Sequence, residues 1–430
     1  MLLQFSIRNY KTFKNEATLS LYASNYDKVT LEEDNIFAEK KYGFRLLKSA
    51  VIYGANASGK SNFLDALSFM RFFVINSSKK TQNGEQIEVQ PFRLSDETEN
   101  EPSEFEVIFL LNDVLYRYGF EVTQQKVVSE WLYYKPKTKE IELFFRKDDK
   151  YEIHERNFTK GGMVVKEGLV RDNALLLSVA AQFNDVTANA VLDWFKHIKV
   201  IFCLQEYMHK IFSMNQITNP VEKLKMLELL KVADLGIQDI KPLDKRPNIF
   251  HNQTKDEIVS TIVEDVITKH KKYDSNKNEI DTVSFLLSKD ESSGTEKFFS
   301  LSWPILNVIE NGYILAIDEF DAQLHPNLVR KIVSLFNSKD NNEKNAQLIF
   351  NTQNTNLLSP DLFRRDQIWF TDKNKYGEAK LYSLADFKTD EVRKNERYEE
   401  NYIKGKYGAV PFLGFFDNLK NILSQHEDEK

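Results

Sequence analysis

The chain has 430 residues, 42% hydrophobic and 28% charged, the balance of a soluble globular protein with room for two or three lobes. A net charge of −6 speaks against a surface that coats DNA, though a local basic groove stays open, and a single cysteine, Cys203, excludes an intrachain disulfide or a cysteine-built zinc site. Nothing resembles a signal peptide and no run nears the ~18 apolar residues of a membrane span, so a cytoplasmic protein is expected.

In chain order, "LLQFSIRNYKTFKNEATLSLYA" alternates apolar and polar residues about a turn and predicts a strand pair. "LKSAVIYGANASGKSNFLDALSFMRFF" predicts a buried strand, a glycine loop and a helix with Phe63, Leu64, Leu67 and Met70 on one face. "PSEFEVIFLLNDVLYRYGFEV" predicts two strands joined at Asn112-Asp113, and polar-tipped hairpins continue to "KYEIHERN". Between residues 172 and 235 apolar positions recur at three- and four-residue steps, which predicts helices; one opens with an Asn cap and Pro220. Strands return in "DVITKHKKYD" and "EIDTVSFLLS". The seven histidines are scattered without paired ligand spacing, and the final "SQHEDEK" is expected to fray.

Residues 54–61, "GANASGKS", form a complete G-x-x-x-x-G-K-[ST] phosphate loop between a strand and a helix. Gly54, Ala55, Asn56, Ala57, Ser58, Gly59, Lys60, Ser61 and Asn62 are therefore the candidate ATP-binding residues. The glycines let backbone N–H groups turn toward phosphate oxygens, Lys60 brings positive charge to the β- and γ-phosphates, and the Ser61 hydroxyl can ligate Mg²⁺. In "GYILAIDEFDAQLHP" a hydrophobic strand delivers Asp318 and Glu319 side by side. Neighbours on a strand face opposite ways, so Asp318 is expected in the Mg²⁺ shell and Glu319 at the attacking water as general base. In "ESSGTEKFFSL" the turn Ser292, Ser293, Gly294, Thr295 opens a helix, with Glu296 placed to complete a cap. Such a helix start is either an anion site or an ordinary capped helix.

These elements, in this order, resemble the ABC-type ATPase heads of the SMC and RecF class. The resemblance implies an α/β fold of two lobes, with ATP and Mg²⁺ bound between two protomers of a head-to-head dimer or higher homo-oligomer. Ser292, Ser293, Gly294 and Thr295 of one chain would then close, in trans, on the γ-phosphate held by Lys60 of another. The implied layout is an N-terminal ATPase lobe at 1–150, a mainly helical insertion at 151–250, a C-terminal ATPase lobe at 251–385 and an extension at 386–430. The interval between Lys60 and Ser293 admits such an insertion but not the long coiled coil of an SMC arm.

A closer resemblance is carried by "RNYKTF", "PFRL", "IDEFDAQLHP", "AQLIFNTQNTNLL", "RRDQIWF" and "NYIKGKYGAVPF". It points to the RloA/AbiL-type ATPases, relatives of the OLD family that are similar to the ATPase component of PARIS. It implies a role in restricting phage, a phage protein as trigger, and a separate effector such as a Toprim-like nuclease. Fewer residues follow "RRDQIWF" than a Toprim domain needs, so any nuclease is expected to be a separate partner. The alternatives are a RecF-like clamp on DNA and a scaffold with an inactive site.

In that family the strand after the acidic pair usually ends Thr-Thr-His, whereas this chain has Thr352-Gln353. Glutamine can donate to a γ-phosphate and accept from water but carries neither a proton nor a positive charge. Gln353 is thus either a catalytic switch that supports slower hydrolysis or the cap of a turn. Gln90, before "PFRL", is the candidate Mg²⁺-contacting glutamine between lobes; Arg8 and Lys11 are candidates for the nucleotide's surroundings, with solvated charge as the alternative. His325 falls in the loop expected to communicate across the dimer.

Overall fold

The computed structural model describes residues 1–80, 82–202, 206–233, 235–244, 248–250, 258–260, 263–388 and 396–411. Cys203 and the terminal "SQHEDEK" lie outside them.

Apolar runs in the sequence become the strands of a six-stranded sheet. Its order is Ile198–Ile201, Ile314–Ile317, Gln347–Asn351, Ser49–Gly54, Ile368–Lys373, Ala379–Ser383, and only the last strand runs antiparallel to its neighbour. Parallel strands are buried on both faces, and alternate residues show it. Ala50, Ile52, Ile314, Ala316, Ile349 and Trp369 enter one hydrophobic core, while Val51, Tyr53, Leu315, Ile317, Leu348, Phe350, Ile368 and Phe370 enter another.

The first core fills the space between this sheet and a seven-stranded antiparallel one. The second sheet runs Lys150–Ile153, Ile141–Lys147, Val127–Lys135, Val114–Val122, Ser103–Leu111, Leu2–Arg8, Ala17–Ser20. Helix Lys60–Asn76 lies in that core, with Phe63, Leu64, Leu67 and Met70 each 1% exposed or less. Phe5 of the antiparallel sheet meets Phe63 edge-on at 5.3 Å. Asn112 and Asp113 both adopt positive φ (49° and 57°), the two-residue primed turn that suits the twist of a hairpin. The Gln347 side chain ties the two sheets together. It accepts from Leu2 N at 2.6 Å and donates to Leu2 O at 2.9 Å.

The second core lies under helix Ser293–Asn311 and includes Met214, Leu227 and Leu230 from helices Glu206–Gln216 and Pro220–Val232. Helices Thr159–Lys166, Leu176–Gln182 and Val186–Lys196 instead join the first core through Val164, Leu176, Val191 and Trp194. The helical stretch therefore divides between the two cores. It also contains a strand that its helical periodicity hides: Ile198–Ile201 follows a helix directly and pairs in parallel with Ile314–Ile317. A three-stranded antiparallel sheet, Ile237–Asp244, Val263–Tyr273, Glu279–Leu286, leads into the helix at Ser293. The architecture is α/β, a mainly parallel sheet and an antiparallel sheet that share one hydrophobic core.

Candidate nucleotide-binding site

Five parallel strands end at one edge of the six-stranded sheet, where ligands bind in open α/β folds. The fully buried strand Ser49–Gly54 leaves the sheet there, and the helix restarts at Lys60. Gly54 is required by close approach: a Cβ would stand 2.4 Å from Thr371 O and 2.5 Å from Ser58 Oγ. Ser58 Oγ in turn bonds Thr371 Oγ1 at 2.6 Å, which pins the loop to the neighbouring strand. Lys60 Nζ donates to Gly54 O (2.7 Å) and Ala55 O (3.0 Å), so one of its three N–H groups is left for an acceptor beyond the loop. Burial lowers the Lys60 pKa, and the nearby Asp318, Glu319 and Asp321 carboxylates act against that shift. Adding a phosphate anion would favour the charged ammonium further.

The acidic strand ends at Ile317, one residue short of the pair. Strand alternation therefore does not separate the two carboxylates. Glu319 has left-handed backbone (φ 50°), and this turn sends its exposed side chain to the cleft while Asp318 remains 8% exposed. Asn351, fully buried at the end of strand Gln347–Asn351, holds this turn. Its Nδ2 donates to Asp318 Oδ1 at 2.5 Å, its Oδ1 accepts from Glu319 N at 2.7 Å, and its carbonyl accepts from Phe320 N at 3.1 Å. Asp318 N donates to Ile201 O at 2.9 Å, which explains why the short strand Ile198–Ile201 belongs in this sheet.

A cleft of about 510 Å³ runs over the loop from Asn56 to Asn62, and Glu319, Gln353, Thr12 and Lys373 complete its walls. Gln353 is exposed into it. The next residues form a turn capped by Asn354, whose side chain accepts from Asn356 N, so the capping role belongs to Asn354. Ser61 and Asp318 offer one hydroxyl and one carboxylate. This all-oxygen set suits Mg²⁺, which keeps several waters and shares substrate phosphates. Among the described residues no cluster of three or more His, Cys, Asp or Glu forms a metal cage of its own.

Other expected residues lie elsewhere. Gln90 is exposed beside a neighbouring cavity lined by Tyr10, Lys11 and Asp65, and its carbonyl accepts from Lys11 N at 2.8 Å; its side chain does not reach the phosphate-loop cleft. Arg8 is paired with Glu104 (2.8 Å) and Glu121 (3.1 Å), and Lys11 with Asp65 (2.6 Å), so neither lines the cleft. Ser292, Ser293, Gly294 and Thr295 are also outside their own chain's cleft. The helix cap is Ser292, which accepts from Thr295 N at 3.1 Å. Glu296 therefore falls one position too late for a capping box and pairs with Lys210. His325 caps helix Pro326–Asn337 by accepting from Asn327 N at 3.2 Å.

Sequence reasoning missed Asn351, Thr12 and Lys373. Asn351 gave one signal, a polar residue completing an otherwise apolar strand. Thr12 and Lys373 gave none, because topology alone brings them to the loop.

Comparison with solved structures finds similarity to the SMC head domain from Thermotoga maritima, at 12% identity and a TM-score of 0.40, over 89% of this chain and 98% of that one. The SMC head bound to the C-terminal winged-helix domain of ScpA aligns at 12% identity and a TM-score of 0.44, over 89% and 97%. The SMC head with an extended coiled coil, bound to the C-terminal domain of ScpA derived from Pyrococcus furiosus, aligns at 11% and 0.37, over 89% and 96%. No curated protein matches the chain. The family model described as "AAA domain, putative AbiEii toxin, Type IV TA system" matches residues 49–359, from the phosphate-loop strand through the acidic turn to the Asn351 strand, and the chain belongs to that family.

Proposed function

We propose that this chain binds and hydrolyses ATP, and that it works as the nucleotide-dependent sensor of an anti-phage system in which a separate effector, a Toprim-like nuclease, executes the response. The observation that carries the enzymatic part is the convergence of Lys60, Ser61, Glu319 and Gln353 on one cleft. Asp318 is held directly behind Glu319 by Asn351.

In this reading the loop N–H groups and Lys60 hold the β- and γ-phosphates. Mg²⁺ accompanying ATP would be held by Ser61 and Asp318 and would neutralise developing charge on those phosphates. Glu319 takes a proton from water; the water oxygen bonds to the γ-phosphorus as the bond to the β–γ bridging oxygen breaks, and ADP and phosphate leave. Gln353 orients the water and donates to the γ-phosphate without taking its proton, which makes turnover slow. Ser293 and Gly294 would complete the site from a second copy, consistent with their position outside the chain's own cleft.

The family description, which names a putative toxin of a type IV toxin–antitoxin system, supports a place in a toxin-based system. Among the described residues no helix is long and apolar enough to cross a membrane. The test is steady-state phosphate release by the purified chain with Glu319→Gln as the blank. Turnover above the blank, rising more than linearly with protein concentration, supports an ATPase completed in trans. Turnover equal to the blank at every concentration removes the hydrolytic reading.

A further inference from the structure

The cleft has two chemically different ends. Strands Ile314–Ile317 and Gln347–Asn351, which precede Glu319 and Gln353, lie on one side of the phosphate-loop strand, and Ile368–Lys373 lies on the other. On this second side Thr371 stands opposite Gly54 in the parallel register, and its hydroxyl holds Ser58. Residues two apart share a face of a strand. Lys373 therefore follows Thr371 on the face turned toward the loop, about 6.6 Å further out.

Lys373 pairs in register with Ala379, and Ala379 N donates to Thr12 O at 2.8 Å. Thr12 Oγ1 accepts from Asn62 Nδ2 at 3.1 Å. A Cβ at Gly59 would lie 2.9 Å from Thr12 Oγ1 and 3.1 Å from Ala379 Cβ. Lys373, Thr12 and Asn62 thus lie together at one end of the cleft, across the phosphate-loop strand from the strands that precede Glu319 and Gln353. Lys373 is exposed there, and among the described residues it has no carboxylate partner. The ion pairs of this hairpin join Lys380 to Asp372 and Lys14 to Glu378.

We infer that Lys373 is a nucleotide-binding residue that contacts the phosphate nearest the ribose. This inference rests on the ATP reading of the same cleft. A nucleotide whose γ-phosphate meets Glu319 and Gln353, with its β-phosphate over the loop, must direct its remaining phosphate to the opposite end. There Lys373 supplies, among the described residues, the one lysine besides Lys60 that lines the cleft. That phosphate is common to ATP and ADP and absent from adenosine.

The experiment is calorimetric titration of the full chain with unmodified ATP, ADP and adenosine, with ATP measured in the Glu319→Gln background. Lys373→Ala is expected to weaken ATP and ADP to the same degree, about five- to tenfold, and to leave any adenosine binding untouched. Lys373→Arg is expected to recover most of the loss and to keep the salt dependence that Lys373→Ala reduces. A loss confined to ATP would overturn the inference, because it would place Lys373 at the γ-phosphate. Unchanged ATP and ADP affinity in Lys373→Ala, with binding lost in Lys60→Ala, would overturn it while leaving the ATP reading in place. Absence of nucleotide binding by the unaltered chain would overturn both.

Discussion

Replacement of Asn351 tests whether the acidic turn is held by this one side chain. Asn351→Ala removes the donor to Asp318 Oδ1 and the acceptor of Glu319 N, both buried or partly buried bonds. A hydrogen bond to a charged group contributes about 1.5–3 kcal/mol and a neutral one about 1 kcal/mol. The turn then loses about 3 kcal/mol, and Glu319 leaves its left-handed backbone conformation readily. A misplacement of about 1 Å in a reacting group costs on the order of 10²-fold in rate. Phosphate release should fall by that factor at every pH.

Asn351→Asp separates geometry from mere loss of stability. Its carboxyl would sit against Asp318, where two like charges cannot both ionise, so the pair shares a proton and one pKa is raised. In its protonated form the introduced carboxyl can donate to Asp318 and accept from Glu319 N, as the Asn351 amide does. Turnover of this variant should therefore be present below the raised pKa and be lost as pH rises through it. The assay is phosphate release from about pH 5.5 to about pH 8.5, with Glu319→Gln as the blank at each pH. Turnover within threefold of the unaltered chain for Asn351→Ala, or a pH-independent Asn351→Asp, would refute the reasoning.

Lys60→Ala should abolish measurable binding of ATP by calorimetry, whereas Glu319→Gln should retain it. Gly294→Ala would place a Cβ 2.7 Å from Gln323 O, so the start of its helix or the loop must shift. Turnover should drop at least about tenfold while the affinity of the single chain for ATP stays within about twofold, since Gly294 is outside its own cleft. His197, stacked on Tyr313 at 4.1 Å, has its pKa lowered by burial and then by Lys199, with Asp193 opposing. The unfolded chain therefore takes up the proton first, and the stability this group contributes is lost as pH falls through about 6.5. His197→Gln should flatten that decline in denaturant melts at pH 7.5 and 5.5; an unchanged slope would contradict it.

Much of the site was legible because its chemistry demands particular residues at fixed spacing. A phosphate loop needs Gly54 where Thr371 and Ser58 crowd it, and a primed hairpin turn needs residues such as Asn112 and Asp113 that tolerate positive φ. Relations across long sequence intervals were not legible. Asn351 clamps Asp318 through pairing of distant strands, and Thr12 and Lys373 meet only because Ala379 bonds the Thr12 backbone. The four residues Ile198–Ile201 are too few to display a period against the preceding helix. Glu296 matched a capping pattern counted from Ser293, but the chain starts its helix from Ser292. Gln90 stands outside the phosphate-loop cleft, and its carbonyl accepts from Lys11 N, a main-chain contact that no motif announces.

The position of the phosphate-loop strand also has a consequence for biosynthesis. Both strands that flank Ser49–Gly54, Gln347–Asn351 and Ile368–Lys373, lie far downstream of it in the sequence, and Leu2 is fastened to Gln347. While the polypeptide emerges from the ribosome, the nucleotide loop is exposed long before any partner strand exists to shape it. The site closes only once residues 347–373 have been made. A product terminated before residue 347 thus contains every residue of the loop but neither of the strands that flank it.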